Sequence, residues 1–268
     1  MFTGVRRQRV LDEIQRRGGA SLSELARLLG VSDMTIRRDV TSLEHEGLIE
    51  RVYGGAMPVR RGNELAPALE GTEQYPEKVA IAEIAAKMVK PGISIGITGG
   101  TTAVILARRL AKVGGMTVVT NSMKVWNEIH ASGSWDAPVV ITGGEFRTSS
   151  ETFVGPTANA AIRSVYLDVL FLGVYGMDDV AGFTNVDISE AETNRTFVSR
   201  ARRVVVLADH TKWRTTGLCT IAQLSDVDTV VTDDQYDPNE RQILQLAVKD
   251  LRVAPVKTAE DGDESIAS

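Results

Sequence analysis

From Pro76 onward the chain repeats one pattern. Short runs rich in valine and isoleucine, ISIGI, MTVVT, PVVIT, DVLFLG, RVVVLAD and DTVVTD, alternate with stretches of helical spacing. Runs that are apolar at successive positions, rather than at alternate ones, bury both faces of a sheet. Such sheets are mostly parallel, with helices laid over them. An amphipathic helix, PEKVAIAEIAAKMV, opens the region, with Pro76 suited to its first turn. Residues 76–254 are therefore expected to form one α/β domain. The tail, residues 255–268, is acidic and aperiodic and is expected to be disordered. Residues 58–75, PVRRGNELAPALEGTEQY, combine proline, glycine and charge without a sustained period and read as a linker.

Residues 1–57 follow a different plan, three short helices and a β-hairpin. In the first helix Val10, Leu11 and Ile14 share a face, and Gly18-Gly19 end it. Ser21 and Glu24 have the spacing of a reciprocal capping box for the second, whose expected buried stripe is Leu25, Leu28 and Leu29. Gly30 stops that helix, Val31 staples the corner and Ser32 caps a third, running to about Glu46. Two helices joined by so short a turn form a helix-turn-helix, in which the second enters the major groove. LIERVYGGAMPV then reads as a two-stranded wing turning at Gly54-Gly55.

On the third helix Ile36, Val40 and Leu43 must face the core. At 100° per residue this leaves Met34, Arg38 and Thr41 pointing outward, flanked by Thr35 and Arg37. Guanidinium forks, hydroxyls and apolar atoms suit guanine edges, phosphates and a thymine methyl. A merely solvated helix face would carry the same residues. Charge distribution bears on the choice. The chain has a formal charge of −5 over 268 residues, but its first 61 hold 11 arginines and no lysine against 8 carboxylates, +3, and the rest holds 19 cations against 27 anions, −8. Two units with different partners are implied.

In open α/β sheets ligands bind beyond the carboxyl ends of the strands. Thr98, Gly99, Gly100, Thr101 and Thr102 lead from ISIGI straight into a helix, so small residues, two hydroxyls and a helix N-terminus could cradle an anion. An ordinary tight strand-to-helix turn would also need the glycines. Three more strand ends are polar: Asn121-Ser122 after MTVVT, Gly143-Gly144 with Arg147 after PVVIT, and Asp209 with Lys212 after RVVVLAD. Each has a structural alternative, as helix cap, turn or solvated cation. Together they favour a phosphorylated sugar or polyol at one rim.

Cys219 stands alone and the only histidines are His45, His130 and His210, so neither an intramolecular disulfide nor a zinc centre is expected, and no cofactor is implied. No apolar run is long enough to span a bilayer or serve as a signal peptide, which leads to the expectation of a cytoplasmic protein.

The segment SLSELARLLGVSDMTIRRDVTSLEHEGLIERVYGGA, Ser21 to Ala56, resembles the winged helix-turn-helix of the DeoR family of bacterial transcriptional regulators, with TIRRD, Thr35 to Asp39, at the recognition-helix position. Tyr53 stands where the family usually has histidine; a phenol can still donate to a phosphate. The later region resembles the family's carboxy-terminal sensor domain, itself similar in fold to ribose-phosphate isomerases, through GGTT at Gly99, TNS at Thr120, GG at Gly143, LDVLFLGVYGMD at Leu167, GFTNVDISEAETNR at Gly182 and LADHTKW at Leu207. By that resemblance Gly99 to Thr102 and Lys212 hold an effector phosphate, with Asn121, Asp209 and Glu190 near the sugar. Thr98 replaces the aspartate of a DSGTT version, and Tyr175 stands where the isomerases carry an acid.

These readings combine into a DNA-binding regulator rather than an enzyme, a repressor of carbohydrate genes acting as a homo-oligomer. Ser32, Met34, Thr35, Arg37, Arg38, Thr41, Arg51 and Tyr53 are its expected DNA-contacting residues. The competing classes are a sugar-phosphate isomerase with an accessory DNA-binding domain, for which Glu190 and Asp178 remain as carboxylates, and a DNA-binding protein whose second domain only oligomerises.

Overall fold

The computed structural model describes residues 3–17, 20–45, 48–52, 55–58 and 73–256. The chain divides into two compact units, Met1–Gly71 and Thr72–Ser268. Residues 59–72 of the expected linker and 257–268 of the expected tail lie outside the described residues, as do Gly18-Gly19 and the Tyr53-Gly54 turn.

In the first unit, helices α1 (Thr3–Arg17), α2 (Leu22–Leu29) and α3 (Asp33–His45) precede strands β2 (Ile49–Val52) and β3 (Gly55–Pro58). A two-residue strand β1 (Ala20–Ser21), absent from the sequence reading, pairs antiparallel with β3, giving the order β1-β3-β2. Ser21 thus ends a strand and caps α2. Glu24 N–H donates to its Oγ at 3.2 Å while Glu24 Oε2 accepts from Ser21 N–H at 3.0 Å, the expected capping box. Gly55 is needed where β3 meets β1, since a Cβ there would lie 2.6 Å from the Ala20 carbonyl oxygen. The core joins Val10 and Ile14 of α1, Leu22, Leu25 and Ala26 of α2, Ile36, Val40 and Leu43 of α3, and Ile49 and Ala56 of the hairpin. Leu28 departs from expectation at 52% exposed. Positions 22, 25, 26 and 29 make the i, i+3, i+4, i+7 stripe, and position 28 sits about 60° beyond its edge.

The second unit is built on a seven-stranded sheet of order β15-β14-β12-β9-β4-β5-β6, parallel throughout. Its strands are β4 (Ser94–Ile97), β5 (Thr117–Thr120), β6 (Val139–Ile141), β9 (Val169–Gly173), β12 (Val204–Leu207), β14 (Thr229–Asp233) and β15 (Leu251–Ala254). The first six are the apolar runs of the sequence; β15, only LRVA, is an addition. The interior strand β12 is buried at every residue, as a strand covered on both faces must be. Helices α4 (Tyr75–Ala86), α5 (Thr101–Leu110) and α6 (Met123–Ala131) pack in succession, and α7 (Gly155–Arg163) packs on α8 (Ile188–Val198); α9 (Pro238–Ala247) precedes β15.

Two antiparallel additions were not legible as alternating apolar runs: the hairpin β7 (Glu145–Arg147) with β8 (Thr152–Val154), and a sheet of β10 (Gly176–Asp178), β11 (Gly182–Asn185) and β13 (Cys219–Ala222). Phe183, Phe197, Leu170, Leu172, Val206 and Trp213 belong to the core cluster beneath that sheet. Among the described residues no helix is long and apolar enough to cross a membrane.

Candidate nucleic-acid interface and anion cavity

In the first unit α3 presents the predicted face. Met34 is 63% exposed, Arg37, Arg38 and Thr41 are exposed and Thr35 is half-buried, while Ile36, Val40 and Leu43 point inward. Ser32 caps the helix: Thr35 N–H donates to its Oγ at 3.3 Å, and the two hydroxyls lie 2.9 Å apart. Thr41 spends its hydroxyl hydrogen on the Arg37 carbonyl at 2.8 Å, so its methyl and oxygen lone pairs remain on the surface. Arg51 pairs across the wing with Ala56; its side chain and the whole of Tyr53 lie outside the described residues. Asp39 of TIRRD is a buried ion-pair partner of α1, accepting from Arg6 Nε at 2.6 Å and Nη2 at 3.1 Å.

In the second unit the carboxyl ends of the central strands open into a cavity of about 360 Å³. Its floor is the junction of β4 and β9. Thr98 Oγ1 accepts from the Gly173 N–H at 3.0 Å, and a Cβ on Gly173 would lie 2.4 Å from the Gly99 carbonyl oxygen. A Cβ on Gly99 would lie 2.5 Å from Thr152 Cγ2, and Gly100 has φ 125°, a conformation that favours glycine. Gly100 caps α5 without any side-chain hydrogen bond, leaving the first backbone N–H groups of that helix facing the cavity beside Thr101 and Thr102.

The walls carry Asn121 from β5, Asp209 and Lys212 after β12, and Glu190 from α8. Asn121 is 2% exposed; its Nδ2 donates to the Phe153 carbonyl at 3.0 Å, while its buried Oδ1 has no partner among the described residues. An acceptor left without a donor in a buried site costs free energy that a ligand hydroxyl would recover. Glu190 accepts from Ser150 Oγ and, at 3.1 Å, from Asn185 Nδ2. Asp209 accepts from the Thr211 N–H at 3.1 Å and from the Thr211 hydroxyl, closing the 3₁₀ turn His210–Lys212. Beneath that turn the fully buried Asp233 accepts from His210 N–H at 2.8 Å and lies 2.9 Å from His210 Nδ1.

Five predicted residues are absent from the lining. Thr98 is buried, and its Oγ1 accepts from the Gly173 N–H, which joins two strand ends. Ser122 caps α6 through Val125 N–H at 3.4 Å. Gly143 and Gly144, at φ 62° and 119°, turn the edge strand β6 into the β7–β8 hairpin, whose Ser149, Ser150 and Thr152 reach the cavity while the two glycines do not. Arg147 Nη2 donates to Ser189 Oγ at 3.2 Å and lies 3.8 Å from Asp187, and its Nη1 lies 3.3 Å from Glu145, while its Nε is buried without a partner among the described residues.

Other lining residues escaped the sequence reading, among them Lys78, Lys124, Asn185 and Asn194. Lys78 is 8% exposed, and its Nζ donates to the Glu73 carbonyl. Burial holds its ammonium below the ordinary lysine range; Asp209 opposes that shift and Lys212 adds to it. Lys124 is paired with Glu151 at 3.3 Å. A lysine within helical spacing ordinarily marks a solvated face, so neither stood out in the sequence. Among the described residues no group of three or more His, Cys, Asp or Glu could hold a metal ion.

A helix-turn-helix with a winged hairpin, followed by a parallel α/β unit with a polar cavity at its strand ends, is the outline of a DNA-binding regulator with a second, sensor-like domain. Residues 6–61 match the DeoR-like helix-turn-helix domain, and residues 73–234 match the DeoR C-terminal sensor domain. The chain belongs to the DeoR family of transcriptional regulators. It is 33% identical to the HTH-type transcriptional regulator GlpR of Haloferax volcanii, over 92% of this chain and 96% of that protein. It is 30% identical to the lactose phosphotransferase system repressor of Streptococcus mutans, over 87% and 94%. Among solved structures, ribose 5-phosphate isomerase A from Neisseria gonorrhoeae superposes on 55% of this chain and 56% of its own, at 20% identity and a TM-score of 0.38.

Proposed function

We propose that the protein represses carbohydrate-metabolism genes and that a phosphorylated sugar bound in the cavity modulates its grip on operator DNA. The observation that carries this reading is the meeting, in one cavity, of the uncapped α5 N-terminus, Lys78 and Lys212 with the unpaired Asn121 Oδ1. The first set favours a phosphate, and the last needs a hydroxyl donor. The relative named as a lactose phosphotransferase system repressor supports the carbohydrate connection. Arg37, Arg38, Met34, Thr35 and Thr41 would read or grip the DNA, with Ser32, Arg51 and Tyr53 at the edges of the contact. One such module buries limited surface, so the operator would be held by at least a dimer on repeated half-sites.

A thermal-shift screen of the purified protein against a panel of sugar phosphates, followed by binding to its own promoter DNA with the best hit, tests both halves. The reading predicts a stabilising sugar phosphate that changes DNA affinity. It also predicts that Thr101→Ala with Lys212→Ala abolishes that stabilisation and leaves the oligomer intact. Turnover of pentose or hexose phosphates by the purified protein would instead make the cavity an active site.

A further inference from the structure

Lys78 occupies a position that binding alone does not explain. It lies in the first turn of α4, four residues after Gln74 and five after Glu73, where the chain arrives in sequence from the DNA-binding unit. Its ammonium reaches back to the Glu73 carbonyl while also lining the cavity. Beside this bond, the Lys78 N–H donates to the Gln74 carbonyl at 3.0 Å. Gln74 has φ 55°, in the left-handed region that side chains other than glycine and asparagine rarely adopt, and it caps α4 with no side-chain hydrogen bond. Glu77 Oε2 beside it is buried without a partner among the described residues. One ammonium therefore faces two claims, a backbone carbonyl that stabilises the entry turn and whatever anion occupies the cavity.

We propose that an anion in the cavity draws the Lys78 ammonium from the Glu73 carbonyl and so releases the Glu73–Tyr75 turn, making Lys78 the residue that reports occupancy to the chain leading to the DNA-binding unit. The inference rests on the anion-binding reading of the cavity. A phosphate oxygen forms a stronger, charge-assisted bond than a neutral carbonyl, so the exchange is downhill for the ammonium. The left-handed Gln74, deprived of its tether, then has a backbone strain to relax. An ammonium has three hydrogens, however, and holding both partners at once is the competing outcome.

Hydrogen–deuterium exchange on the full chain, with inorganic phosphate as the probe, separates the possibilities. Phosphate is expected to slow exchange of the amides at 99–104, where Val104 N–H bonds the Gly100 carbonyl, and to quicken exchange at 74–78, where Lys78 N–H bonds the Gln74 carbonyl. Slowing at 99–104 with no change at 74–78 overturns the release while leaving the anion site standing. No response at 99–104 overturns the anion reading and the release with it. Lys78→Met is expected to exchange fast at 74–78 with or without phosphate, and to bind phosphate about tenfold more weakly. A Lys78→Met chain that still shows phosphate-dependent quickening there also overturns the proposal.

Discussion

Arg6 and Asp39 join the first helix of the DNA-binding unit to its third through two hydrogen bonds of 2.6 and 3.1 Å, with the carboxylate 2% exposed and the guanidinium nearer to water. Arg7 adds a longer contact to the same carboxylate at 3.5 Å. The partners are not equivalent. Without Arg6 the carboxylate stays buried and underpaired, whereas Arg6 without Asp39 can swing into solvent. Arg6→Ala is expected to lower the urea midpoint of this unit more than Asp39→Ala does, and Asp39→Ala added to Arg6→Ala should recover part of the loss. Urea unfolding followed by circular dichroism checks the order.

The exposed pair Arg37 and Arg38 is expected to dominate electrostatic contact with DNA. For each phosphate contact removed, the slope of log affinity against log salt should fall by about 0.9. A bidentate base contact would instead cost about 1–3 kcal/mol and relax preference at one position. Fluorescence anisotropy of Arg37→Ala and Arg38→Ala on promoter DNA at several salt concentrations tells them apart. Unchanged affinity and slope in both would remove α3 from the interface.

Gly173→Ala puts a methyl group 2.4 Å from the Gly99 carbonyl oxygen. The methyl is bonded directly to one main chain and the oxygen belongs to another, so strand β9 or the loop after β4 must move, at about 1–3 kcal/mol. The variant should melt several degrees below the wild type and lose stabilisation by phosphate or sugar phosphates. Full stabilisation by these ligands would show that the floor is not part of the anion seat.

Asp168 supplies a pH dependence. The Ser94 N–H and hydroxyl donate to its carboxylate at 2.9 and 2.8 Å, and they hold it below the ordinary carboxylate range, with Arg202 a lesser contributor. A carboxylate depressed in the folded state contributes stability above its unfolded value of about 3.9, and this is lost as pH falls through the folded value. Asp168→Asn should be less stable than the wild type at pH 7, with the gap closing below about pH 4. Thermal melts across that range measure it.

The parallel sheet was legible because its strands bury both faces and so read as unbroken apolar runs. The antiparallel additions were not: β7 is EFR and β13 is CTIA, too short and mixed to show a period. Gly99 to Thr102 were recognisable because a helix starting on glycine needs no side-chain cap. Gly143, Gly144 and Arg147 lie outside the lining although their strand end looks like the others in sequence, because the chain after the edge strand β6 comes back to the cavity at Ser149, Ser150 and Thr152. Lys78 was hidden for the opposite reason. It precedes the first strand of its unit, and nothing in PEKVAIAEIAA announces that a helix folds back across the sheet, packing against β14.

The close approach of Gly99 and Gly173 makes the bottom of the cavity a surface of peptide groups. Mutation rewrites side chains and leaves peptide groups in place, so this floor is shielded from gradual change as long as those glycines persist. Change is left to the walls, where Tyr175, Asn185 and Lys124 are among the side chains that line the cavity. A fold built this way can vary the walls of its cavity while the floor keeps its form.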